Sequence, residues 1–208
     1  MTPRPALDDL AALAALGTAT IGEVAGGAVR ILDGGLRPLA PHAPAVAGVA
    51  LTVRCRPGDN LALHLALAQA QPGDLLVVDY GGDVSTGPFG EIMALAADIA
   101  GIRGLVIDGA VRDSTAIVRM GFATFCRGIA IAGTAKRDRG AVGAGCTVGG
   151  VDIRPGEVIV GDGDAVIAVD PGAMPGIIAE GRTRLSNEEQ VMDRLRRGET
   201  TCEIFGLS

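Results

Sequence analysis

Leu7, Leu10, Leu13 and Leu16 recur every third residue with alanines between them, which predicts a helix carrying one apolar stripe and stopping at Gly17. Thr18 or Thr20 is placed to cap a second short helix. The pattern then changes period. Residues 46–53, VAGVALTV, and 74–79, DLLVVD, are nearly continuous apolar runs of strand length. Between them GDNLALHLALAQA predicts a helix with Asp59 or Asn60 as its N-cap, so the segment reads β-α-β. A glycine-rich loop, YGGDVSTGPFG, leads from the second strand to EIMALAADIA, a helix that stops at Gly101. A strand at 105–108, a short helix around 114–120 and a strand at 123–126 follow. Each apolar run is followed by a helix that returns the chain to the same sheet edge, so these strands are expected to be parallel neighbours. From 147 onwards, TVGGVDIRPGEVIVGDGDAVIAV predicts short strands joined by glycine-rich turns, a β-rich half closed by a polar helix at about 186–198.

In a parallel α/β arrangement ligands bind at the carboxyl ends of strands, in loops that lead into helices. Gly90-Glu91-Ile92-Met93 occupies such a place after strand 74–79, where the backbone N–H groups of Ile92 and Met93 have no intrahelical partners and can hold an anion. Arg112-Asp113 occupies the equivalent place after strand 105–108, so the two loops should face one cleft. Free amides, a guanidinium and carboxylates together suit a small 2-oxo acid bound to a divalent metal. Arginine offers a bidentate fork, and aspartate is a hard oxygen ligand for Mg²⁺ or Mn²⁺. Such a site stabilises an enolate, because both cations gain interaction energy as charge develops on the keto oxygen. Each piece also has a structural reading. Asp113 is placed to cap the following helix with Arg112 solvated, and Glu91 suits a helix start through the dipole alone. Asp83, Asp108-Gly109 and Asp162-Gly163-Asp164 read as turn residues, and Arg127 as a surface salt bridge.

Composition narrows the choices. With 208 residues, 48% of them apolar, the chain is expected to form a single compact soluble domain over residues 1–208. The net charge of −6 and the lack of a Lys/Arg block speak against nucleic acid; Arg194, Arg196 and Arg197 stand among Asp193 and Glu199 as a solvated helix face. Cys55, Cys126, Cys146 and Cys202 lack CxxC spacing and are expected to be reduced, buried thiols. Asp8 and Asp9 interrupt the start where a signal peptide would be apolar, and no run approaches membrane-spanning length, so no membrane partner and a cytoplasmic location are expected. Lys136, the one lysine, lies in a polar loop unsuited to Schiff-base chemistry. His42 and His64 are too few for a three-histidine zinc site and are expected to be packed or surface residues. No GxxxxGK[ST] loop occurs, and GAGCTVGG lacks the context of a dinucleotide loop.

The stretch GEIMALAADIAGIRGLVIDGAVRDS resembles the core of the RraA-like family, which contains the 4-hydroxy-4-methyl-2-oxoglutarate and 4-carboxy-4-hydroxy-2-oxoadipate aldolases and the regulator of ribonuclease activity A. The family enzymes carry an acidic residue, twenty positions and then Arg-Asp, and Glu91 precedes Arg112-Asp113 with that spacing. PGDLLVVDYGGD, VGGVDIRPGEVIVGDGDAVIAV and the polar C-terminal helix fit the family layout as well. The resemblance implies an α/β fold, an α-β-β-α sandwich of the swivelling-domain type, assembled as a homotrimer or as a hexamer of two trimers. It implies that Gly90 to Met93 bind the pyruvate portion through backbone amides and that Arg112 contacts the substrate and stabilises the enolate. Asp113 would ligate Mg²⁺ or Mn²⁺, with Glu91 holding a metal-bound water. Glu188 or Glu189 would reach a neighbouring subunit's metal through water. The implied activity is a metal-dependent lyase that releases pyruvate from 4-hydroxy-2-oxo acids and decarboxylates oxaloacetate, and the alternative is a non-catalytic regulator that binds a ribonuclease or another protein partner. One departure is Asp164-Ala165, where the family often has Asp-Gly.

Overall fold

The computed structural model describes residues 4–41 and 43–207, so His42 lies outside the described residues. Helices α1 (Leu7–Ala14) and α2 (Thr18–Val24) lead into short strands β1 (Val29–Ile31) and β2 (Arg37–Pro38). The β-α alternation expected from the apolar runs follows. It comprises β3 (Val46–Arg54), α3 (Leu61–Leu67), β4 (Asp74–Asp79), α4 (Glu91–Ile99), β5 (Gly104–Asp108), β6 (Ala110–Val111), α5 (Ser114–Met120) and β7 (Ala123–Cys126). The second half holds β8 (Gly128–Ile129), β9 (Ala141–Val142), β10 (Cys146–Val148), β11 (Val151–Ile153), β12 (Val158–Gly161) and β13 (Val166–Val169). Helices α6 (Met174–Arg196) and α7 (Thr201–Phe205) end the described chain.

The fold is mixed α/β. Strands β3, β4, β5 and β7 pair in parallel, as their buried apolar sequences require, and antiparallel strands extend the same sheet in the order β1-β13-β12-β3-β4-β5-β7-β2. Alternate side chains leave β4 on opposite faces. Leu76 and Val78 meet α3, α4 and α5, whereas Leu75 and Val77 meet the β10-β11 hairpin through Cys146, Val148 and Ile153. A second helical group, α1 and α6, covers β12 and β13 on the α3–α5 face. All four central residues of β4 are fully buried, each worth about 1.5–3 kcal/mol of burial. Helix α4 packs through Met93, Ala94 and Ala97, and these small contacts leave Ile92, Leu95 and Ile99 outside.

The C-terminal helix begins at Met174, twelve residues before the expected 186, and ends at Arg196. Pro175 sits in its first turn, where a missing N–H is harmless. Gly181 admits Leu16 of the α1-α2 link so closely that a Cβ would lie 2.6 Å from Leu16 Cδ1. Packing of Met174, Ile177 and Ile178 thus overrides the poor helix propensity of the segment. Cys55, Cys126 and Cys146 are buried free thiols, and burial pushes Cys55 and Cys146 up to about 12. Cys202 departs from the expectation and is exposed, because no layer covers the short α7. Among the described residues no helix is long and apolar enough to cross a membrane.

Neither Thr18 nor Thr20 caps α2. Thr18 is its first residue, and the capping carboxylate is Asp162, whose Oδ2 accepts the Thr18 N–H at 2.6 Å and whose Oδ1 accepts the Thr18 hydroxyl at 2.7 Å. Oδ1 also accepts the Asp164 and Ala165 amides, so the expected turn role of Asp162 holds as well. Burial alone would raise its carboxyl, but these bonds outweigh it and hold the group below the ordinary 3.8. Asp162→Ala is expected to cost about 2 kcal/mol in denaturant unfolding at neutral pH, from a lost cap and charge-assisted bonds. A depressed carboxyl contributes fully above its unfolded value and loses that contribution as pH falls through the folded one. The gap between wild type and variant should therefore close below pH 3.8, and a gap independent of pH would refute this account.

Candidate functional site

The loop from β4 to α4 is fastened along its length. The Tyr80 hydroxyl accepts the Gly58 N–H at 2.7 Å and bonds Thr86 Oγ1 at 2.9 Å, and Asp83 accepts the Ser85 hydroxyl at 2.7 Å as the expected turn residue. Further on, the Asn60 side-chain amide donates to Pro88 O at 2.8 Å and the Gly87 N–H to Ala132 O at 2.9 Å. The Arg112 N–H donates to Phe89 O at 2.9 Å, which joins this loop to the one leaving β5. The two loops are neighbours, as their places after adjacent strands led one to expect.

Asp113 sits at the start of α5, but its side chain does not cap that helix. Its backbone is left-handed, φ 53°, the one non-glycine residue with positive φ among the described residues. That conformation costs on the order of 1 kcal/mol and turns the carboxylate toward α4 instead. There Oδ2 accepts the Glu91 N–H at 3.1 Å and lies 3.6 Å from Arg112 Nε. Gly90 makes the approach possible, since a Cβ there would stand 2.4 Å from Asp113 Oδ2 and 2.9 Å from Arg112 Cγ. The reading of Asp113 as a cap of the following helix is thereby corrected.

Glu91, Arg112 and Asp113 therefore meet at the α4 N-terminus, with both side chains of the Arg-Asp pair 44% exposed. The Ile92 and Met93 amides lie in the first turn without intrahelical acceptors. Their side chains diverge, as Met93 is buried and Ile92 is 80% exposed. Glu188 is not brought to this cluster within the chain. It pairs with Arg184 at 2.8 Å on α6, beside a groove lined by Val24, Met192 and Phe205, and Glu189 is exposed on the same helix.

Asp108 and Arg127, at the ends of β5 and β7, are ion-paired with each other. Arg127 also reaches Asp33 at 2.8 Å, and Asp108 Oδ2 accepts the Gly149 N–H at 3.0 Å. The two carboxylates push the Arg127 guanidinium up, and Arg127 holds Asp33 down. These groups tie the β2 and β10 loops to the sheet, and Arg127 is a salt bridge as expected. His64 is packed on α3, and burial pulls it below its ordinary value. Asn60, expected at the N-cap of α3, makes no side-chain cap there and holds Pro88 O instead, while the partners that sequence reasoning missed, Gly87 and Phe89, act through backbone bonds. The glycines of GPFG were their one signal.

Among the described residues no group of three or more His, Cys, Asp or Glu side chains could hold a metal ion. The donor set fits a hydrated Mg²⁺ or Mn²⁺ instead, which takes one or two carboxylates and completes its shell with water and substrate oxygens. Asp113 Oδ1 and both Glu91 oxygens make none of the side-chain hydrogen bonds found among the described residues.

Residues 6–168 match the family model described as RraA-like, Aldolase/RraA. The chain is 38% identical over 144 residues, 69% of each chain, to a Halalkalibacterium halodurans protein named "Putative 4-hydroxy-4-methyl-2-oxoglutarate aldolase". The fold resembles that of a Pseudomonas syringae protein with a TM-score of 0.82 at 24% identity, covering 96% of this chain and 93% of that one. It also resembles the RNA-processing inhibitor RraA from Thermus thermophilis, with a TM-score of 0.68 at 26% identity over 74% of this chain and 93% of that one.

Proposed function

Because the chain belongs to the RraA-like, Aldolase/RraA family, we propose that its α4–α5 cleft performs a divalent-metal-dependent aldol cleavage that releases pyruvate from 4-hydroxy-2-oxo acids such as 4-hydroxy-4-methyl-2-oxoglutarate. The observation that carries this reading is the meeting of the Arg112 side chain and the Asp113 carboxylate at the start of α4, whose Ile92 and Met93 amides have no intrahelical acceptors. The Ile92 and Met93 amides hold the substrate's 1-carboxylate, and Gly90 keeps the approach to them open. Arg112 donates to the keto oxygen. A water held by Glu91 relays the C4 hydroxyl proton to the Glu91 carboxylate, the C4–O bond becomes the carbonyl of the second product as the C3–C4 bond breaks, and the pair from that bond moves into the enolate of C3 and the keto oxygen. Arg112 stabilises that developing charge, and protonation at C3 yields pyruvate. Asp113 directly and Glu91 through water would hold Mg²⁺ or Mn²⁺, which supplies Lewis-acid polarisation of the keto group when bound. Oxaloacetate loses carbon dioxide through the same enolate.

The reading includes assembly into a trimer or a hexamer, in the cytoplasm. Ile92, Leu95 and Ile99 of α4, with Val84, Ile129 and Ile131, are exposed, apolar surface that a second copy would cover. In that arrangement Glu188 or Glu189 of α6 would enter a neighbour's site. A second reading, a non-catalytic binder of a ribonuclease or another protein, is supported by the same exposed surface and by the likeness to an RNA-processing inhibitor.

The test is pyruvate release from 4-hydroxy-4-methyl-2-oxoglutarate and from oxaloacetate, with Mg²⁺ or Mn²⁺ and with EDTA. Turnover is expected with either metal and should vanish on chelation, returning when metal is restored. No turnover of either acid by folded protein with metal present would favour the binding reading.

A further inference from the structure

A second cavity, of about 490 Å³, lies between the β3–α3 turn and the segment preceding β9, and three arginines, Arg56, Arg137 and Arg139, line it. None of the three takes part in an ion pair among the described residues, and neither do Arg54 and Lys136 beside them in sequence. In a chain of net charge −6, this leaves unneutralised guanidiniums gathered around one void.

The two carboxylates in the same wall are already engaged. Asp59 is 5% exposed, with Oδ1 accepting the Leu61 N–H at 2.9 Å and Oδ2 accepting the Arg137 and Asp138 amides at 2.7 and 3.2 Å. Asp138 Oδ1 accepts the Gly140 N–H at 2.8 Å. Both carboxylates thus spend acceptor capacity on backbone and shape the loop. The loop is also stitched to α3's start, through the Ala135 N–H to Gly58 O at 2.8 Å and the Asn60 N–H to Ala135 O at 3.0 Å. At its exit Gly140 has φ +50°, and a Cβ there would lie 2.0 Å from Arg54 O. A cationic pocket with a backbone fixed in this way loses little freedom when an anion enters.

We propose that Arg56, Arg137 and Arg139 form an oxyanion-binding pocket that takes a carboxylate or a phosphate through guanidinium forks. Two sources share this chemistry, a free anion such as inorganic phosphate and the distal carboxylate of an elongated substrate. The second source rests on the aldolase reading. It follows from continuity, because both walls run on into the loop that carries Gly90. Asn60, next to Asp59, holds Pro88 O, and Ala132, three residues before Ala135, holds the Gly87 N–H.

The first measurement is calorimetric titration of the full chain with inorganic phosphate and with succinate, for wild type, Arg56→Ala and the double variant Arg137→Ala/Arg139→Ala. All three side chains are on exposed residues, and the loop contact of Arg137 is made by its backbone N–H, so the variants should keep their unfolding temperature. Binding of at least one anion by wild type, weakened at least ten-fold in both variants, is the expected result. Binding equal in all three proteins, or absent from wild type, overturns the pocket whatever the enzyme assay shows. The second measurement is KM for a 4-hydroxy-2-oxo acid with a distal carboxylate against one with an uncharged group there. A variant-induced rise in KM at least ten-fold larger for the charged acid assigns the pocket to substrate, and lost phosphate binding without that difference assigns it to a free anion. Failure of wild type to release pyruvate from either acid would count against the aldolase reading alone, since the titration stands without turnover.

Discussion

Arg112→Ala is expected to lower kcat for pyruvate release by about two orders of magnitude or more, the usual consequence of removing a donor to a developing oxyanion. The loss should fall on kcat and not on folding. The Arg112 backbone N–H that donates to Phe89 O, and so joins the two loops, survives the substitution. The side chain is 44% exposed and its contact with Asp113, at 3.6 Å, is a loose surface pair worth little to stability. Arg112→Lys separates charge from shape. It keeps a cation but loses the planar fork, so partial activity is expected, well below wild type. Steady-state kinetics on oxaloacetate with saturating Mg²⁺ would read all three proteins, and near-normal turnover by Arg112→Ala would remove Arg112 from the chemistry.

The parallel strands and the meeting of Glu91 with Arg112-Asp113 were legible because each rests on local pattern. A strand buried on both faces must be apolar throughout, and Leu75 to Val78 is. Loops at the carboxyl ends of adjacent parallel strands must be neighbours, and β4 and β5 are adjacent. Features set by distant partners were not legible. Asp162 caps a helix 144 positions away in sequence, and Asp113 turns from its own helix to α4 because a glycine across the cleft leaves room. The Gly- and Pro-rich start of α6 is helical only because Leu16 and β12–β13 receive it. Asp59 was legible only as a cap of α3, where its Oδ1 accepts the Leu61 N–H; that Oδ2 also gathers the Arg137 and Asp138 amides across the arginine-lined cavity has no local mark. In each case the sequence names the donor or acceptor and the fold chooses its mate.

Gly90→Ala tests whether geometry, and not only residue identity, makes the site. Gly90 has φ −144° and ψ −168°, extended values open to any residue, so the backbone itself is not strained by alanine. The obstruction is steric: the new methyl would lie 2.4 Å from Asp113 Oδ2, 2.9 Å from Arg112 Cγ and 3.0 Å from Arg112 Nε. All three are atoms of half-exposed side chains, which can swing away at little cost to the fold. Doing so breaks the Glu91 N–H to Asp113 bond and displaces the guanidinium from the α4 amides. A shift of about 1 Å in catalytic groups costs on the order of 100-fold in rate, so kcat/KM should fall by about that much. The unfolding temperature should stay within a few degrees of wild type. Gly87→Ala supplies the contrast, because its methyl would meet a backbone atom, Ala130 O, at 2.2 Å, and relief there requires the loops themselves to move. That variant should lose stability along with activity. If Gly90→Ala kept full activity, Arg112 and Asp113 would not need the arrangement seen here to act, and the convergence on which the aldolase reading stands would be incidental.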